Sequence, residues 1–222
     1  MFAGESCYLG IDLANKLDLN SVVPVFCREI DGVKHFYAVG SRFYVPEETI
    51  LSPDPDKQRV AERYQSFVNQ GALTPTDGAE VDYRVILADI LKLQSVVKIE
   101  QAPIDPYGAT GLLHPMADEG ITAVIIQQNY TNMSDPMREI EAALAAGRFH
   151  HDGNPILTWC FQNVVGKYLP GSDDVVRPTK QGDENKIDGA VSTMMGVGRA
   201  IINEPRDFLS SLSDEDLIIY DS

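Results

Sequence analysis

The sequence predicts an α/β fold: a mixed sheet, with an antiparallel meander of three strands followed by parallel strands, and helices on both faces. Three observations carry this. Residues 7–45 hold three apolar stretches joined by tight turns, which reads as a meander. From residue 83 onward, apolar spacing alternates between helical and strand-like segments, as a covered, partly parallel sheet requires. At 222 residues with 44% hydrophobic and 23% charged side chains, the chain can bury a full core without disulfides or structural metals.

The elements follow in order. Residues 7–14 read as a buried strand, and residues 20–30 as a second, with Pro24 removing one ladder donor so that pairing is short or bulged there. Asp31-Gly32 is a hairpin signal, and residues 34–45, with Phe36, Val39, Phe43 and Val45, read as the third strand. Residues 46–82, punctuated by Pro46, Pro53, Pro55, Gly71 and Pro75, read as a surface insertion with a short helix over 58–69. Residues 83–94 have helical spacing at Val85, Ile86, Ile90 and Leu93. Residues 96–104 form a strand with Asp105 at its carboxyl end. A helix over 107–119, a strand over 122–127, and a helix capped by Ser134 and running to Gly147 come next. Residues 154–164 read as helix. Residues 164–180 hold a turn with a strand on one or both sides, and residues 186–202 form the last helix. The acidic stretch 205–222 reads as a loosely held tail, so the organisation expected is one domain over 1–222.

Composition excludes several classes. No apolar run approaches the roughly 18 residues that span a membrane, and the start carries no basic, apolar leader. The three cysteines, Cys7, Cys27 and Cys160, form no Cys-x-x-Cys pair and read as reduced thiols, against a zinc site. A formal net charge of −15 argues against a generic nucleic-acid coat. It leaves room for a nucleic-acid enzyme, whose metals and local basic residues supply positive charge.

Three aspartates stand in or beside apolar chain, where an uncompensated charge is costly. Asp12 lies within the first strand, Asp105 ends a later one, and Asp188 opens the last helix. Phosphodiester cleavage with two metal ions needs carboxylates from separate segments meeting at one point. Mg²⁺ and Mn²⁺ both suit such oxygen ligands. Each acid has a plainer reading as well: Asp105 before Pro106 opens a turn, and Asp188 is a first-turn acid favoured by the helix dipole. Asp12, inside a strand, is the hardest to explain that way. Lys16, Arg177, Lys180 and Lys186 lie near these acids in sequence and are candidates for contacting DNA phosphates, against a reading as solvated surface charge. Asp18 reads as a turn cap, Asp183 and Glu184 as loop acids, His150-His151 as a packing or turn feature, and Trp159 as core.

The chain resembles the nuclease domain of the large terminase subunit of tailed phages. The resemblance rests on Gly10-Ile11-Asp12-Leu13-Ala14 with Asp18-Leu19, and on Ile104-Asp105-Pro106-Tyr107-Gly108-Ala109. It continues through Met133-Ser134-Asp135-Pro136, Phe149-His150-His151-Asp152-Gly153-Asn154-Pro155 and Lys186-Ile187-Asp188-Gly189, in that order across nearly the whole chain. It implies a ribonuclease H-like fold and a metal-dependent endonuclease that cuts concatemeric viral DNA during packaging, with Asp12, Asp105 and Asp188 holding two Mg²⁺ or Mn²⁺ ions. It implies double-stranded DNA as substrate, a terminase ATPase domain, small terminase subunit and portal protein as partners, and the cytoplasm of a bacterial host as location. No Gly-x-x-x-x-Gly-Lys-Ser/Thr loop occurs, so the chain is expected to be the nuclease half alone, without motor activity. Some relatives place a histidine three residues before the third acid; here Asn185 stands there. The alternatives are a junction resolvase or RNA–DNA hybrid nuclease of the same fold, and a non-catalytic acidic module docking on portal or small terminase.

Overall fold

The computed structural model describes residues 1–13, 18–54, 57–182 and 185–202. Lys16, Asp183, Glu184 and the tail 205–222 lie outside the described residues. The chain opens with strands β1 (Ser6–Leu13), β2 (Asn20–Ile30), β3 (Val33–Ala38) and β4 (Arg42–Pro46). Helices α1 (Glu47–Ile50) and α2 (Gln58–Asn69), strand β5 (Thr74–Thr76) and helix α3 (Tyr83–Gln94) follow. Then come β6 (Lys98–Ile104), α4 (Thr110–Asp118), β7 (Ala123–Ile125), α5 (Tyr130–Ala145), β8 (Phe149–His151) and α6 (Pro155–Gln162). A hairpin of β9 (Val164–Tyr168) and β10 (Val176–Lys180) precedes α7 (Asp188–Ile202), the last helix among the described residues.

The main sheet runs β5-β4-β2-β1-β6-β7, with β3 pairing both β2 and β8. β1 pairs antiparallel with β2, while β1, β6 and β7 run parallel to one another. The mixed sheet is thus as expected, and the β9–β10 hairpin forms a separate two-stranded sheet. Residues alternate between its faces with the period of two that strands impose. Leu9, Ile11 and Leu13 of β1, with Tyr44 of β4, face the layer containing Ile86, Ile90, Leu112 and Met116 of α3 and α4. Val23 and Val25 of β2, with Phe43 and Val45 of β4, face the other layer, against Met133 and Ile140 of α5, Leu157 of α6 and Met194 of α7.

Three sequence expectations are corrected. The third strand is two strands, because β3 pairs with Val25–Ile30 of β2 and β4 with Asn20–Val22. The break falls opposite Pro24, which accepts a bond from the Val39 N–H but has no N–H to return, and Gly40 turns the chain there at φ 75°. Residues 46–82 are no surface addition: β5 extends the sheet beside β4, and α2 buries Tyr64 and Phe67 in the core on the α7 side. Helix α5 starts earlier than Ser134, at Tyr130, since the Asn129 side chain caps it by accepting the Asn132 N–H. Ser134 is instead buried within the helix, where its hydroxyl accepts the Val176 N–H at 3.1 Å and ties the hairpin to α5.

Candidate metal centre

Helix α7 decides where the acids meet. It is buried from Gly189 through Val197 and lies across β1 and β2. Gly10 makes the close approach possible: a Cβ there would stand 1.8 Å from the carbonyl oxygen of Ser192. One helical turn on, a Cβ on Gly196 would meet the Tyr8 carbonyl oxygen at 3.3 Å. The Ser21 and Ser192 hydroxyls share a buried hydrogen bond at 2.7 Å, and Ser21 is the register partner of Asp12. The helix therefore runs antiparallel to β1. From the Gly10–Ser192 contact, two strand residues lead about 6.6 Å to Asp12 on the same face, and four helical residues lead about 6 Å back to Asp188. The acid inside the first strand and the acid opening the last helix arrive together.

Asp105 comes in from the neighbouring strand. Its N–H donates to the Ile11 carbonyl at 3.2 Å, and one carboxylate oxygen accepts the Tyr107 N–H at 2.8 Å. The turn reading and the site reading of Asp105 thus hold at once. Asp12, Asp105 and Asp188 line one cavity of about 320 Å³, together with Asp18, Tyr107, Gln128, Lys180, Asn185 and Lys186. Asp12 and Asp105 are only 8% and 9% exposed.

Electrostatics in the cavity are dominated by uncompensated negative charge. Burial, then the charges of Asp188 and Asp105, hold the Asp12 carboxyl well above the usual carboxylate range. Burial and then Asp18 push Asp188 up to about 7, against the pull of Lys186 and Lys180. Burial also raises Asp105, opposed by hydrogen bonds from the Tyr107 N–H and the Gln128 side chain. The Tyr64 hydroxyl is fully buried and lies in the field of Asp18 and Asp188, and burial first, then these charges, push it up. Among the described residues no three acids, histidines or cysteines stand close enough to hold an ion as they are placed. The donors are nevertheless those that fit a hard divalent ion: four carboxylates lining one cavity that is open to solvent on one side.

Of the basic residues singled out in the sequence, Lys180 and Lys186 line the cavity. Lys186 is tied to Asp18 by an ion pair. Arg177 lies on the hairpin, stacked 5.3 Å from the Tyr130 ring centre, and does not line the cavity. His150 packs against Tyr37 and Trp159 against Phe67, as the packing readings expected. Sequence reasoning missed Gln128, whose amide donates to Asp12 Oδ1 at 3.0 Å, and Tyr64. It gave Asp18 only its cap, which is real (the Leu19 N–H donates to Asp18 Oδ1 at 2.8 Å), and not its place in the cavity. A topological signal existed for Gln128. Asp12, Asp105 and Gln128 all lie at the carboxyl ends of the adjacent parallel strands β1, β6 and β7, where open α/β sheets bind ligands.

A mixed sheet with helices on both faces, an acid-lined cavity at its strand ends and α7 docked across β1 is a fold of the ribonuclease H-like class. The family model described as terminase large subunit, endonuclease domain matches residues 1–204, and the chain belongs to that family. Among curated proteins it is 56% identical over 210 residues to Protein YmfN of Escherichia coli (strain K12), covering 94% of this chain and 46% of that protein. It is 28% identical over 205 residues to the terminase, large subunit, of Enterobacteria phage HK97, covering 87% and 37%. The chain therefore spans less than half the length of these relatives. The crystal structure of the HK97 large terminase superposes with TM-score 0.73 at 25% identity, covering 90% of this chain and 40% of that one. The large terminase nuclease of the thermophilic phage G20c gives 0.52 at 8% identity, covering 88% and 84%, a likeness of fold alone. No helix among the described residues is long and apolar enough to cross a membrane.

Proposed function

We propose that this domain is a divalent-metal-dependent endodeoxyribonuclease that cuts concatemeric viral DNA during genome packaging. The observation that carries the reading is the meeting of Asp12, Asp105 and Asp188, from two strands and a helix distant in sequence, around one solvent-open cavity. Burial and mutual repulsion disfavour their ionised forms, and a cation relieves that cost. Two bound Mg²⁺ or Mn²⁺ ions would supply an activated water and a counter-charge for the leaving oxygen of the phosphodiester.

Asp12, Asp105 and Asp188 would hold the ions, with Asp12 between the other two. Gly10, by seating α7 on β1, fixes the spacing of Asp12 and Asp188. Lys180, exposed at the cavity edge, would contact a backbone phosphate. Lys186 chiefly neutralises Asp18. The chain needs no nucleophile of its own, since hydrolysis by water leaves only positioning and charge stabilisation to the protein.

Double-stranded DNA is the substrate we assign. The ATPase domain, the small terminase subunit and the portal are the partners the family implies. With a net charge of −15, the domain alone should hold DNA weakly and cut it slowly and without sequence preference. Supplying plasmid, four-way junction and RNA–DNA hybrid side by side, with Mn²⁺ or EDTA, tests the assignment. Metal-dependent nicking and linearisation of plasmid supports it. Exclusive action on the junction or the hybrid moves the substrate to a different class.

A further inference from the structure

Gln128 lies three residues beyond β7, between two fixed points. On one side the Ile126 N–H donates to the Ile104 carbonyl at 2.9 Å, continuing the β6–β7 ladder. On the other, Asn129 caps α5, while the Asn132 side chain and the Asn129 N–H both donate to the Gln127 carbonyl, at 3.0 and 2.9 Å. The backbone is thus held from both directions, and the side chain is presented to the cavity. Its Nε2 donates to Asp12 Oδ1 at 3.0 Å, and the side chain lines the same cavity as the Asp105 carboxylate. These are the two most buried acids of the centre.

A carboxamide carries two N–H donors on one side and a carbonyl oxygen on the other. With a donor on the Asp12 carboxylate, it offers that group part of what a cation offers, on the same oxygen. A divalent ion taking that Asp12 oxygen must displace the donor. Half a turn about the last side-chain bond then directs the carbonyl oxygen, a hard ligand that divalent cations accept, to the place the donor left.

We propose that Gln128 is an exchanging metal ligand: it holds Asp12 through its amide N–H until an ion arrives, then turns its carbonyl oxygen to that ion. This rests on the reading of the acids as a metal centre and adds a residue to it.

Titration calorimetry with Mn²⁺ on the purified chain tests the inference, using wild type, Asp12→Asn, Gln128→Leu and Gln128→Glu. Gln128→Leu, which keeps bulk but has no oxygen, should bind Mn²⁺ about tenfold more weakly. Gln128→Glu puts a charged oxygen in the same place. It should bind Mn²⁺ about tenfold more tightly and melt at a lower temperature than wild type in EDTA, a deficit that saturating Mn²⁺ removes. A merely structural tie predicts a lower melting temperature for both variants and no tightening in either. Both variants binding within twofold of wild type would overturn the proposal, as would tighter binding by Gln128→Leu or weaker binding by Gln128→Glu. If Gln128→Leu does not fold, the Gln128→Glu arm decides. Asp12→Asn separates the two levels. Loss of Mn²⁺ binding there with unaltered Gln128 variants sinks only the present inference, whereas unaltered binding in Asp12→Asn sinks the metal centre and this proposal with it.

Discussion

Replacing Asp188 by Asn removes a charge that the fold, without a cation, carries at a cost. The Asp188 carboxyl is raised to about 7 from its ordinary value of 3.8, chiefly by burial and by Asp18. An acid raised in the folded state binds its proton more tightly there than in the unfolded chain, so it opposes folding once ionised. The cost is absent below pH ~4, grows as pH rises through the window to ~7, and is complete above it. A rise from 3.8 to about 7, at about 1.4 kcal/mol per tenfold in proton affinity, gives a ceiling of about 4 kcal/mol. Partial exposure and relaxation bring this to about 2 kcal/mol, or roughly 4–8 °C in melting temperature for a domain of this size. In EDTA at pH 8, Asp188→Asn should therefore melt above wild type, and at pH 4 the two should nearly coincide. With saturating Mg²⁺ at pH 8 the order narrows or reverses, because wild type gains binding energy the variant cannot. Thermal unfolding by circular dichroism at both pH values reads all of this. A variant equally destabilised at pH 4 and pH 8 in EDTA would refute the claim that Asp188 sits in a site starved of positive charge.

Other outcomes follow from the same geometry. Asp12→Asn should lower plasmid cleavage by on the order of 10³-fold while the near-ultraviolet spectrum stays native. Gly10→Ala drives a methyl into the Ser192 carbonyl, so α7 must shift; we expect about 1–3 kcal/mol of destabilisation by denaturant titration and a large loss of cleavage, through displacement of Asp188 from Asp12. Lys180→Ala should weaken DNA binding and reduce the salt dependence of that binding by about one charge, while calorimetry finds Mn²⁺ affinity unchanged.

Much of this was legible in the sequence. The turn signals, the alternation along the first strands and the helical spacing of 83–94 and 186–202 are local properties, and the elements they predict are present. The three acids stood out because charge within apolar chain demands a reason, and they do converge on one cavity. What was not legible depends on pairing across distance. Pro24 splits its neighbour strand by withholding a donor from an edge that local patterning does not identify. Tyr64 and Phe67 read as parts of a surface helix because their partners lie far along the chain. Gln128 carries no charge and sits in a polar run, so only strand order brings it to the acids. Asp18 showed its local role as a cap and concealed its cavity role, since nothing nearby marks Lys186 as its partner.

The central claim is that Asp12, Asp105 and Asp188 together hold divalent cations. Crystals of the domain soaked in Mn²⁺, with data collected at the manganese absorption edge, test it most directly. The account predicts anomalous peaks within coordination distance of all three carboxylates, with Asp12 touching each ion. Peaks confined to surface acids elsewhere, with the three side chains left bare at saturating Mn²⁺, would contradict it.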